Sequence, residues 1–70
     1  MNFDTATIFF KELVMQSRLP AELRINADGF ISISVPRAGV IEQLQDEIKR
    51  QAESRGFRDE SNADWLIFIG

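Results

Sequence analysis

Hydrophobic and polar positions divide the 70-residue chain into five segments. The first, FDTATIFFKELVMQSR, carries apolar side chains at Phe3, Ala6, Phe9, Phe10, Leu13 and Val14. Three-and-four spacing of this kind predicts a helix. Thr5, Thr7, Ile8 and Phe9 also suit a strand, so the helix rests on the periodicity. Asp4 or Thr5 is placed to cap it. Pro20 ends it, because its ring has no N–H to donate and clashes with the preceding turn.

The next stretch, AELRINADGFISISV, alternates instead. Leu23 and Ile25 interleave with Glu22, Arg24 and Asn26, and Ile31, Ile33 and Val35 interleave with Phe30, Ser32 and Ser34. Between the two runs lies NADG, whose Asn and Asp favour turns and whose Gly29 supplies the positive φ of a hairpin bulge. This is a β-hairpin. Residues 36–57, PRAGVIEQLQDEIKRQAESRGF, return to helical spacing, with Val40, Ile41, Leu44, Ile48 and Ala52 on one stripe. Pro36 fits the first helical position, or Gly39 caps with Glu42 three residues on. Gly56 ends the helix and lets Phe57 fold back on Ala52. Asp46 with Arg50, and Lys49 with Glu53, stand four apart on the solvent side. RDESNAD is polar and reads as a loop. Trp65 to Ile69, five apolar residues in a row, form the last strand.

The order predicts an α+β, two-layer α-β-β-α-β domain spanning residues 1–70. Its three-stranded sheet is an antiparallel hairpin plus the C-terminal strand, with two helices on one face. The last strand arrives by a helical crossover, right-handed if it runs parallel to the strand before it. It pairs with the second strand or with the first, and the reading leans to the first strand in the middle.

One count fails to close. The hairpin has an apolar face (Leu23, Ile25, Ile31, Ile33, Val35) and a polar one (Glu22, Arg24, Ser32, Ser34) on which only Phe30 is apolar. The last strand has two apolar faces, since alternate side chains point opposite ways. Trp65, Ile67 and Ile69 are expected against the helices. Leu66 and Phe68 then join Phe30 on the open face, beside Arg24, Ser32 and Ser34. An uncovered apolar patch marks a partner surface, unless the first helix wraps round to cover it. The simplest partner is a second copy of the chain, related by a twofold axis.

Composition narrows the chemistry. There are no cysteines and no histidines, which removes disulfides, thiolate metal sites and the commonest acid–base side chain. No glycine spacing matches a phosphate loop. DESNAD lacks the alternate acidic ligands and the glycine of a calcium loop, so no metal site and no cofactor are expected. Arg37, between a strand end and a helix start, is a candidate anion ligand. Its line with Leu44 and Ile48 instead suggests a stem lying along the apolar stripe, as Arg55 does at the other end. The formal charge is −3, the wrong sign for a nucleic-acid binder. A base-stacking face built on Phe30, Phe68, Arg24 and Arg37 is the alternative function. No apolar run spans a bilayer, and Asp4, Lys11 and Glu12 interrupt any signal-like segment. The expected protein is therefore cytoplasmic and non-catalytic. It is a regulator- or inhibitor-type interaction module, homodimeric or bound to another protein, and not a membrane protein.

Overall fold

In the computed structural model, which describes residues 3–70, two helices cover one face of a four-stranded antiparallel sheet. The elements are helix α1 (Phe3–Lys11), strands β1 (Glu22–Ile25) and β2 (Ile31–Pro36), helix α2 (Glu42–Ser54), and strands β3 (Arg58–Asp59) and β4 (Trp65–Ile69). Strand order is β1-β2-β4-β3. The α+β class and the hairpin therefore stand, while the three-strand count and the lean toward a central first strand do not. β3 is the cause of both corrections. It reverses the chain before β4, so β4 runs antiparallel to β2 and inserts beside it. The helical crossover does join two parallel strands, β2 and β3, with β4 between them. Two residues are too few to show alternation, so β3 was hidden in a polar stretch.

The N-terminal helix does not stop where its α-helical bonding ends. Glu12–Gln16 continue it as a π-helical turn. The Ser17 N–H donates to the Glu12 carbonyl (3.1 Å) and the Leu19 N–H to the Leu13 carbonyl (2.9 Å). This closes the helix one residue wider than the usual C-terminal motif. Arg18 sits at the left-handed position with φ 55°, a conformation that costs a side chain about 1–2 kcal/mol. Arg18→Gly is therefore expected to stabilise the fold by about 0.5–1 kcal/mol, after the extra freedom of glycine in the unfolded chain is subtracted. A urea titration measures this, and a loss of stability would mean that the Arg18 stem packs usefully. Asp4 and Thr5 lie inside the helix, so neither is the cap expected of them.

At the hairpin, the Asn26 side-chain oxygen accepts from the Asp28 N–H (3.0 Å) and the Phe30 N–H (2.9 Å). Gly29 takes φ 82°, as the bulge requires. α2 starts later than the stripe suggested. Pro36 ends β2, residues 37–40 form a turn with Gly39 at φ 79°, and Glu42 opens the helix behind Ile41. At the far end the Phe57 N–H donates to the Ala52 carbonyl (3.0 Å) and the Gly56 N–H to the Glu53 carbonyl (3.0 Å), with Gly56 at φ 87°. That is the expected glycine stop. The surface ion pairs differ from the expected ones: Arg50 meets Glu47, and Lys49 reaches Asp59 at 4.0 Å.

The core lies between the sheet and both helices. Ala6, Phe9 and Leu13 of the first helix and Ile48 and Ala52 of α2 pack on Ile31, Ile33, Val35, Leu66 and Phe68, together with Phe57. Leu66 and Phe68 are fully buried, which overturns their expected place on the open face. The β2–β4 register explains the inversion. Phe68 stands opposite Ile33, and Leu66 opposite Val35. Directly paired residues share a face, so the buried face of β2 fixes the buried face of β4. Trp65, Ile67 and Ile69 turn outward and remain half-buried.

Candidate docking face

The side of the sheet away from the helices is a regular array set by strand register. One row runs Arg24, Ser32, Ile69, Arg58 across the four strands. The next begins Glu22, Ser34, Ile67. Glu60 completes it, because its N–H donates to the Ile67 carbonyl at 2.8 Å. Pro36 and Trp65 stand opposite each other below, and Phe30 lies above Ser32 at the other end of β2. The centre of the face is apolar with two hydroxyls, and both edges are charged.

Each edge carries its own ion pair. An Arg24 Nη2–H donates to Glu22 at 2.8 Å, and the Arg58 Nε–H donates to Glu60 at 2.8 Å. Arg24, Phe30, Ser32, Arg58 and Ile69 line a shallow trough of about 410 Å³ with Asn26 and Glu60. A second depression, between Glu22, Arg24, Ser34, Trp65 and Ile67, continues it. Phe30 is 52% exposed, so this aromatic stands where the sequence placed it. Arg24, Ser32 and Ser34 are likewise on the open face, whereas Leu66 and Phe68 belong to the core.

The face's surplus apolar surface therefore exists, but its residues are Trp65, Ile67 and Ile69. Sequence reasoning had these on the wrong side and missed Arg58 and Glu60 altogether. The available signal was the pairing rule: Ile33 and Val35 had to face apolar partners on whichever strand lay beside them. Trp65 also suits an outward position, since a tryptophan combines apolar surface with a polar N–H.

Arg37 lies elsewhere. It holds the strand-to-helix junction: its Nη1–H donates to Gln45 Oε1 (3.0 Å), and Gln45 Nε2–H donates to the Val40 carbonyl (2.7 Å). Its backbone N–H donates to the Asp64 carbonyl at 2.9 Å. Arg37 Nε is buried without a partner, and the side chain as a whole is half-buried. These bonds tie the end of β2 to α2 and to the loop before β4.

That loop is built from its own polar side chains. Asp59 accepts from the Ser61 N–H (2.9 Å), Ser61 Oγ accepts from the Ile67 N–H (3.0 Å), and Asn62 accepts from the Asp64 and Trp65 N–H groups (3.0 and 2.9 Å). Hydrogen bonding from the Ser61 side chain, aided by the Lys49 charge, holds the Asp59 carboxyl below its usual range. Lowering moves a carboxylate further from the near-neutral value that acid–base catalysis favours. Among the described residues, no group of three or more acidic side chains is gathered as a metal site would need. Nor is any helix among them long and apolar enough to cross a membrane.

Compared with family models, curated proteins and solved structures, the chain matches none.

Proposed function

We propose that this protein is a non-catalytic protein-interaction module, of regulator or inhibitor type, that docks protein on its open sheet face. The observation carrying this reading is the outward row of Trp65, Ile67 and Ile69, on the side of the sheet away from the two helices that pack on Ile31, Ile33, Val35, Leu66 and Phe68. Large apolar side chains grouped at the surface and rimmed by charge mark association sites. Self-association is the simplest form.

The nucleic-acid alternative loses support from the same geometry. Both arginines on the face are paired with glutamates, Phe68 is buried, and Arg37 is occupied at the helix junction. A phosphate-binding stripe requires unpaired positive charge.

Ile67→Glu tests the docking face. The side chain points away from the core but is half-buried and stands beside Glu60, so the variant is expected to lose about 1–2 kcal/mol and still melt cooperatively. Its self-association, followed by light scattering across a concentration series, should fall at least tenfold. Unchanged association would place the contact on another surface.

A further inference from the structure

The pattern of charge on the open face says more than that something docks there. We infer that the occupant is a second copy of this chain, stacked face to face about a twofold axis that runs across the strands. The axis passes between the Arg24–Ser32–Ile69–Arg58 row and the Glu22–Ser34–Ile67–Glu60 row. This rests on the reading of the open face as a docking surface.

Two packed sheets can be related by a twofold axis in their shared plane in two principal ways. An axis along the strands lays β1 of one copy over β3 of the other. It sets Arg24 over the partner's Arg58 and Glu22 over the partner's Glu60, like charge on like charge at both edges. An axis across the strands lays each strand over its own counterpart, running the other way. Each row then meets the other row: Arg24 over the partner's Glu22, Arg58 over the partner's Glu60, Ser32 over the partner's Ser34, and Ile69 over the partner's Ile67. At either end Pro36 comes over the partner's Phe30, with Trp65 beside them. Every charged position meets its opposite, and Ile67, Ile69, Pro36 and Phe30 each meet an apolar position.

This self-complementarity follows from the strand register. The two ion pairs are oriented alike, with arginine in the same row on both edges. Were one of them reversed, the axis along the strands would match charges as well, so their common orientation is what sets that axis at a disadvantage. Packed sheets stand about 10 Å apart, near enough for arginine and glutamate to meet across the gap. The usual rotation of about 30° between stacked sheets keeps the central rows in contact. Like charges brought together across an interface are strongly disfavoured, so charge selects between the two axes even where each pair adds little affinity.

The test is a charge swap on one edge, Glu22→Arg with Arg24→Glu. It keeps the net charge and the ion pair. In the crosswise dimer each swapped edge meets another swapped edge, so the variant should self-associate within about threefold of the wild type. Mixed with differently labelled wild-type chain, it should form heterodimers at least tenfold less than statistical mixing gives, because Arg24 would meet a new arginine. Native mass spectrometry reads this directly. The swap Arg58→Glu with Glu60→Arg on the other edge should behave identically, and thermal melts check that both variants fold.

Free mixing, or a swapped chain that dimerises tenfold more tightly than the wild type, would overturn the crosswise axis. Docking on the open face would then survive if Ile67→Glu still abolished association. A wild-type chain that stays monomeric at its highest soluble concentration would overturn the second copy as occupant.

Discussion

Phe68→Ala is expected to leave the protein largely unfolded at room temperature. The ring is fully buried, stands opposite Ile33 and lies 6.3 Å from the Phe9 ring, which itself lies 5.7 Å from Phe57. Removing a buried phenylalanine costs about 3–5 kcal/mol, from lost transfer energy and the cavity left behind. A core of this size supplies about 3–5 kcal/mol in all. The loss is therefore comparable with the total. Circular dichroism melts show the outcome, as does collapse of the amide spectrum. A variant that kept a cooperative melt within about 10 °C of the wild type would mean that Phe68 is not central to the core. Ile67→Glu should instead keep the fold and lose the contact. Adjacent residues on one strand should give opposite phenotypes, one in folding and one in association.

Arg55→Ala is expected to cost about 2 kcal/mol, large for a surface-reaching arginine. The side chain is only 24% exposed and does three things at once. Its Nη2–H donates to Glu12 at 2.7 Å. Its guanidinium lies 4.7 Å from the centre of the Phe9 ring. Its Nη1–H reaches the Gln51 carbonyl at 3.3 Å, near the helix end where free carbonyls need donors. An exposed ion pair contributes about 0–1 kcal/mol, and a partly desolvated cation over a ring about 1–2 kcal/mol. Together they pin the first helix to α2. Arg55→Lys should recover little, because the ammonium keeps the charge but has neither the flat face nor the fork. Urea titrations of Arg55→Ala, Glu12→Gln and the double variant separate the ion pair from the stacking. If Glu12→Gln alone accounted for the full loss, the contact with Phe9 would be contributing nothing.

The parts of the fold legible in the sequence are those set by local chemistry. The NADG turn, the Gly56 stop and the stripe of Ile48 and Ala52 each depend on residues within a few positions of one another. The parts that were not legible depend on distant pairing. Which face of Trp65–Ile69 is buried follows from its register against Ile33 and Val35, about thirty residues away. β3 is defined by its bonds to β4 and not by its own composition. The open face was located correctly through Phe30, Arg24, Ser32 and Ser34, whose parity the hairpin fixes. Its apolar residues were inverted, because a strand apolar on both sides carries no parity of its own.

The β2–β4 ladder also bears on how the chain reaches its fold. It is the middle of the sheet, yet its partners are the most distant in sequence of any strand pair here. Closing a loop of about thirty residues costs about 3 kcal/mol of chain entropy before any pair forms. The two hairpins and α2 bring no such delay. Folding speed should therefore be governed by α2, which shortens the effective span between β2 and β4, more than by either hairpin turn. Until that closure, Leu66, Phe68, Trp65, Ile67 and Ile69 are all open to solvent. The same apolar run that completes the sheet is, for that interval, the segment most exposed to capture by another chain.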